Sequence, residues 1–133
     1  MKKKRMIIIL IISAIILSPI IAVLINPLLM PSDSIRRSIL RETPVGTNIE
    51  DVLSVIRNRS DWGFRHLDRE RGFQRPGAPD PDTGRRPIIG EQYIIAFIGD
   101  YRFPITPVSV TVFWGFGADG YLIDVYVWKD IGW

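Results

Sequence analysis

The chain has 133 residues, 17 Lys plus Arg against 14 Asp plus Glu, a single histidine and no cysteine. The missing cysteine excludes disulfides, thiolate zinc sites, a cysteine nucleophile and a lipid-bearing N-terminal cysteine. The formal charge of +3 is misleading, because all 14 acidic residues and 13 of the 17 basic ones follow residue 30, leaving the remainder at −1. A basic stripe able to bind phosphates is therefore missing, and nucleic acid is excluded as a partner.

Residues 1–5 form a basic flank, with Lys2, Lys3, Lys4 and Arg5 preceding an almost unbroken apolar run, Met6 to Met30. A helix rises about 1.5 Å per residue, so a run of this length can cross a hydrocarbon core of about 30 Å. Ser13, Ser18 and Asn26 are its only polar members. Pro19 predicts a kink, and Asn26-Pro27 with Pro31 predict the helix end, near Leu29. A cleaved secretory signal has a shorter apolar region, about 7–15 residues, and a small-x-small site. Ile20-Ile21-Ala22 is the nearest approach to one. A buried core helix would keep a polar face, and this segment is apolar all round. The expectation is a single uncleaved span of the inner membrane over residues 6–30, with the basic flank cytoplasmic and the domain outside.

Residues 31–43 read as a juxtamembrane tether or a short helix. Ser32 or Ser34 would cap it, and Ile35, Ile39 and Leu40 would make a narrow apolar face. Arg36, Arg37 and Arg41 fall on the other side, for headgroups or solvent. The 44–133 segment is long enough for one small domain. In Gly46-Thr47-Asn48-Ile49-Glu50-Asp51-Val52, Thr47 and Glu50 have the spacing of a capping box. Ile49, Val52, Leu53 and Ile56 recur on one helical face, with acids at the start and Arg57 and Arg59 at the end. Trp62 and Phe64 would cover the end of this helix or offer a docking surface.

From Arg65 to Pro87 periodicity is lost, and charge, glycine and four prolines predict an exposed loop. Asp80-x-Asp82 and Glu91 echo a calcium loop, but Arg85 stands where the turn needs glycine. His66 has Asp68 and Glu70 near it in sequence, without the positioned partner and pocket that a general base needs. No metal, cofactor or catalytic group is expected. Glu91 to Ile98 reads as a strand. In Pro107 to Phe116, Val108, Val110, Val112, Trp114 and Phe116 alternate onto one face. Gly117 to Gly120 turns the chain into Tyr121 to Trp128, where Tyr121, Ile123, Val125 and Val127 are expected to oppose Leu122, Asp124, Tyr126 and Trp128. Pro104 and Pro107 fall in the connection between strands. The predicted fold class is α+β: an N-terminal transmembrane helix, then one or two helices packed on a three-stranded antiparallel sheet.

Over Pro44 to Trp128 the chain resembles the BamE-like (SmpA/OmlA) lipoprotein domain family. The resemblance rests on Gly46-Thr47-x-x-Glu50-x-Val52, on Val110-x-Val112-x-Trp114-x-Phe116, and on Asp119-Gly120-x-Leu122. It implies two helices on a three-stranded antiparallel sheet and an extracytoplasmic, protein-binding role, in that family the accessory support of outer-membrane barrel assembly. The family's lipidated cysteine is absent, an apolar span stands in its place, and Arg57-Asn58-Arg59 occupies the stretch where the family usually carries glycine. The sequence reads as a non-catalytic interaction domain of the bacterial envelope with a protein partner. Trp62, Phe64, Arg85, Arg86, Trp128 and Trp133 are the candidate contacts, arginine and aromatics being favoured in binding hot spots. An inhibitor or immunity-type protein that inserts the 65–87 loop into an extracytoplasmic enzyme is the alternative.

Overall fold

A computed structural model describes residues 1–132, with all their side chains except those of residues 22, 23 and 25. The chain forms two compact units, Met1–Met30 and a second beginning at Pro31. In the first, helix α1 (Lys2–Ile25) takes in the basic flank and continues through Pro19. A single 3-10 turn follows over Pro27–Leu29, where the Asn26 side chain accepts the Leu28 N–H at 3.1 Å. The last helical residue is thus set by the Asn26-Pro27 pair, four residues before the expected end. Every described side chain of α1 is exposed. Its Lys2–Ile21 stretch is long and apolar enough to cross a membrane.

The second unit is α+β. Helices α2 (Ser32–Glu42) and α3 (Ile49–Asn58) precede strands β1 (Gly63–Asp68), β2 (Phe73–Gln74), β3 (Ile88–Ile89), β4 (Gln92–Arg102), β5 (Pro107–Phe116) and β6 (Leu122–Ile131). The main sheet is antiparallel with four strands in the order β1-β4-β5-β6, one more than expected, and β2 and β3 form a separate pair. The additional strand was illegible because β1 is an edge strand bearing charge on a short, bulged ladder. Arg65 is its unpaired residue, since Phe64 pairs with Ala96 and His66 with Ile95. A bulge and charged side chains are devices that keep an edge from pairing with other chains, and they also erase alternation.

One sheet face and the helices make the core. Ile94, Ala96, Val110, Val112, Trp114 and Phe116 are completely buried. They meet Ile49, Val52, Leu53 and Ile56 of α3, the face predicted from helical spacing, together with Ile35 and Ile39 of α2. Residues 31–43 therefore hold a helix of the folded unit, with Arg36 as its clasp: Nε donates to the Val125 carbonyl at 2.8 Å and Nη2 to Asp124 at 2.6 Å. Neither Ser32 nor Ser34 caps α2; Pro31 holds the N-cap position, with no side-chain bond. The capping box at α3 is likewise replaced. Asn48 is the N-cap and accepts the Glu50 N–H at 2.9 Å, while the Thr47 hydroxyl donates to the Pro44 carbonyl at 2.6 Å and Glu50 pairs with Arg69.

In β6 the expected faces fail at the first three residues. Phe116 pairs with Leu122 and Gly115 with Asp124, so Ile123 is an extra residue that reverses the alternation. Leu122 is 1% exposed, whereas Tyr121 and Ile123 are each 48% exposed. From Val125 onward the prediction holds, with Val125 and Val127 buried. Pro104 lies in the β4–β5 connection as expected, but Pro107 is the first residue of β5, a position where its missing N–H costs no central ladder bond.

The second sheet face is covered too. The expected loop of 65–87 is in part β1 and in part a strap that crosses the sheet, with Phe73 2% exposed and its ring 5.2 Å from that of Phe113. The strap lies so close that a Cβ on Gly115 would come within 3.0 Å of Ile89 and Phe73. Gly90, at φ +74°, turns where a Cβ would stand 2.6 Å from the Phe116 carbonyl oxygen. Residues 78–88 remain exposed, as the sequence predicted.

Replacing Ile39 by Ala should destabilise the second unit by about 2–5 kcal/mol, the usual cost of emptying a buried aliphatic site. Urea unfolding would measure it, and a value near zero would mean that α2 is a tether after all.

Candidate functional site

The six sequence candidates do not form one patch. Trp62 and Phe64 lie at the α3–β1 junction and Trp128 lies on β6, the opposite edge of the sheet. At about 4.8 Å per strand that separates them by roughly 14 Å. Trp62 is partly committed to packing, with its ring 6.0 Å from that of Trp114 and the Arg59 guanidinium 4.3 Å above it. Phe64 is 46% exposed. Arg85 and Arg86 are exposed on the strap between β2 and β3. Trp128 is half-buried, with its ring against Gly77 of that strap. Trp133 lies outside the described residues.

The structure adds residues that the sequence did not single out. Arg75, at the root of the strap, places its guanidinium 4.9 Å from the centre of the Tyr126 ring. Tyr126 in turn stands 6.5 Å from Phe113. Two shallow hollows flank this stack, one of about 280 Å³ bounded by Arg36, Tyr126, Trp128 and Lys129, the other of about 320 Å³ bounded by Pro76, Pro79, Pro81 and Pro87. Arginine, tyrosine, tryptophan and proline around shallow concavities supply planar donors and apolar faces that lose little rotamer freedom on contact. Tyr126 was readable from the alternation that placed it opposite the valines. Arg75 carries no local signal, because only the strap's path brings it over the sheet.

The strap's outer part is organised by its own backbone. Arg75 N–H donates to the Pro87 carbonyl at 2.9 Å, Asp80 N–H to that of Arg85 at 2.9 Å, and Gly84 N–H to that of Asp80 at 2.8 Å. The Asp80 carboxylate accepts the amides of Asp82 and Thr83, which holds one of its oxygens in a turn. Among the described residues no cluster of three His, Asp or Glu side chains is arranged to hold a metal ion.

His66 is exposed, with its ring 5.5 Å from that of Tyr93. Asp68 accepts the N–H groups of Glu70 at 2.8 Å and Arg71 at 3.1 Å, which closes the turn out of β1. The Glu70 amide is the main reason that its carboxyl is held below the usual carboxylate range; desolvation opposes the shift, and the Arg71 amide and charge add to it. Asp61 is lowered likewise, chiefly by the Arg59 side chain, which bonds it at 3.0 Å and reaches Glu42 at 2.6 Å. The Asp61 bond is also the largest cause of the raised Arg59 pKa. These are structural clasps, and each anion has its partner at the surface.

Comparison with family models, with curated proteins and with solved structures finds no match for this chain.

A carboxylate whose folded pKa is depressed adds stability above its unfolded value, about 3.9 for aspartate, and that stability is lost as pH falls through the folded value. The thermal midpoint of the domain should therefore drop on acidification below about pH 4. Asp68→Asn keeps the acceptor oxygen without the titration and should flatten part of that drop; an unchanged pH profile in the variant would show that the turn does not depend on the charge.

Proposed function

We propose that this protein is a single-pass, membrane-anchored, non-catalytic interaction module of the bacterial envelope, with α1 in the inner membrane, the basic flank cytoplasmic and the α+β unit outside. The observation that carries the reading is α1 itself: 24 residues, apolar on every side after the basic first turn Lys2–Arg5, with every described side chain exposed. In water such a helix would expose a surface that soluble proteins avoid, whereas in a bilayer its backbone bonds are satisfied internally. Basic residues at its N-terminal end favour the inside orientation, although Arg36, Arg37 and Arg41 on the other side reduce the contrast.

A binding task is supported by the Arg75–Tyr126–Trp128 surface. The BamE-like resemblance points the same way, toward an extracytoplasmic protein partner. A role in barrel assembly would further require reach to an outer membrane.

The second reading, an inhibitor of an extracytoplasmic enzyme, draws on the strap, whose exposed 78–88 segment is braced by cross-strap backbone bonds. Pre-organised loops of this kind bind with little ordering cost.

In spheroplasts expressing the full chain, external protease should digest the domain while the intact protein fractionates with the membrane. Protection of the domain, or a shortened soluble product, would overturn the topology or the uncleaved anchor respectively. Deleting residues 78–86 should leave partner capture through Tyr126 and Trp128 within about threefold if the module reading holds, and abolish it if the strap is the inhibitory element; crosslinking yield would measure this.

A further inference from the structure

If α1 is the anchor, it constrains which part of the domain meets the membrane, and three of the domain's most exposed apolar side chains, Phe103, Ile105 and Ile131, lie at one end of the sheet. The folded unit begins at Pro31, directly after the unit that holds α1, so the bilayer lies within a few residues of Ser32. Ser32 shares a hollow with Trp128 and Lys129, near the C-terminal end of β6. Trp128 and Lys129 pair with Thr111 and Val110, and Ser109 pairs with Asp100, so this is also the end at which β4 turns into β5. The chain therefore enters the domain at the end of the sheet that carries the β4–β5 tip.

That tip is apolar and unburied. Phe103 is 68% exposed and Ile105 79%, on either side of Pro104, and Ile131 beside them is 67% exposed. Phe103 N–H donates to the Thr106 carbonyl at 2.9 Å, which closes the turn and leaves both large side chains outward. Behind them Tyr101, Val108 and Lys129 line a hollow of about 280 Å³, with the lysine ammonium 3.1 Å from the Tyr101 hydroxyl. Apolar tips backed by a tyrosine and a basic residue match the depth profile of a bilayer surface, where chains, aromatic hydroxyls and cations occupy successive levels. The opposite end turns through Gly117-Ala118-Asp119-Gly120, and Tyr121 and Ile123 after it are less exposed, at 48% each.

The geometry points to the β4–β5 tip, Phe103-Pro104-Ile105 with Ile131, as a second membrane contact that dips into the lipid interface. This rests on α1 being a membrane span. Because the domain is already tethered, dipping is an intramolecular step at high effective concentration, and a few side chains suffice where a free domain would need a lipid anchor. The nearby charges, Arg102 and Lys129 against Asp100 and Asp130, balance. The contact is therefore apolar and should form on zwitterionic lipid.

The chain lacks cysteine, so single labels are unambiguous. An environment-sensitive fluorophore on Ile105→Cys and, separately, on Ala118→Cys would be followed in the full chain reconstituted into phosphatidylcholine vesicles, with nitroxide-labelled acyl chains as quencher. Ten-residue β5 spans roughly 30 Å, so the two labels sample different depths. The expected result is at least twofold quenching at 105 and none at 118, with both proteins floating with the vesicles. Flotation without quenching at 105, or equal quenching at both sites, overturns the second contact and leaves the anchor standing. Failure to float overturns the anchor, and the tip contact falls with it. A blue shift at 105 that is not quenched by lipid and fades on dilution in the bilayer overturns it in favour of contact between copies of the chain.

Discussion

The folded unit depends on one buried indole. Trp114, in the middle of β5, is completely buried, and its Nε1–H would be an expensive orphan without an acceptor. The acceptor is the Thr43 hydroxyl at 3.0 Å, itself completely buried and donating to the Ile39 carbonyl at 3.0 Å. A chain of two hydrogen bonds thus ties the sheet's central strand to the last turn of α2, at the point where the chain leaves for α3. Trp62 packs on the indole, Arg59 stacks on Trp62, and Arg59 reaches back to Glu42. Among the described residues every buried side-chain polar atom has a partner, so this network specifies the core without leaving a cost behind.

With the helices held to one face by that network, the other face would present Tyr93, Phe113 and Tyr126 to water. The strap resolves this by crossing the sheet, burying Phe73 among the rings and bringing Arg75 over Tyr126. Covering is incomplete at Trp128 and at the 78–88 tip. A surface that is mostly sealed but retains stacked arginine and aromatics at its margin is suited to contact with another protein, and the braced backbone of the strap lowers what ordering such a contact would require.

The ends of the sheet differ for a related reason. A turn of glycine, alanine and aspartate closes β5 to β6, while the β4–β5 turn carries phenylalanine and isoleucine outward. The chain enters the folded unit at Ser32, at the second of these ends.

The long apolar helix, the α3 core face and the β5 alternation were legible in the sequence, the first from an unbroken apolar run and the other two because burial there has a regular period. The almost unbroken apolar run Met6 to Met30, Ile49-Val52-Leu53-Ile56 and Val110-Val112-Trp114 each carry their pattern locally. The caps, the β1 edge, the face reversal at Ile123 and the Arg75–Tyr126 stack were decided only in the tertiary structure. In each case the local pattern allowed more than one outcome, and a distant partner chose: the Pro44 carbonyl and Arg69 drew Thr47 and Glu50 away from their box, β4 recruited a charged segment as a strand, the ladder to Gly115 and Phe116 absorbed an extra residue, and the strap carried Arg75 across the sheet. Periodic burial is written residue by residue, whereas bulges, caps and straps answer to groups far along the chain that become neighbours only when it folds.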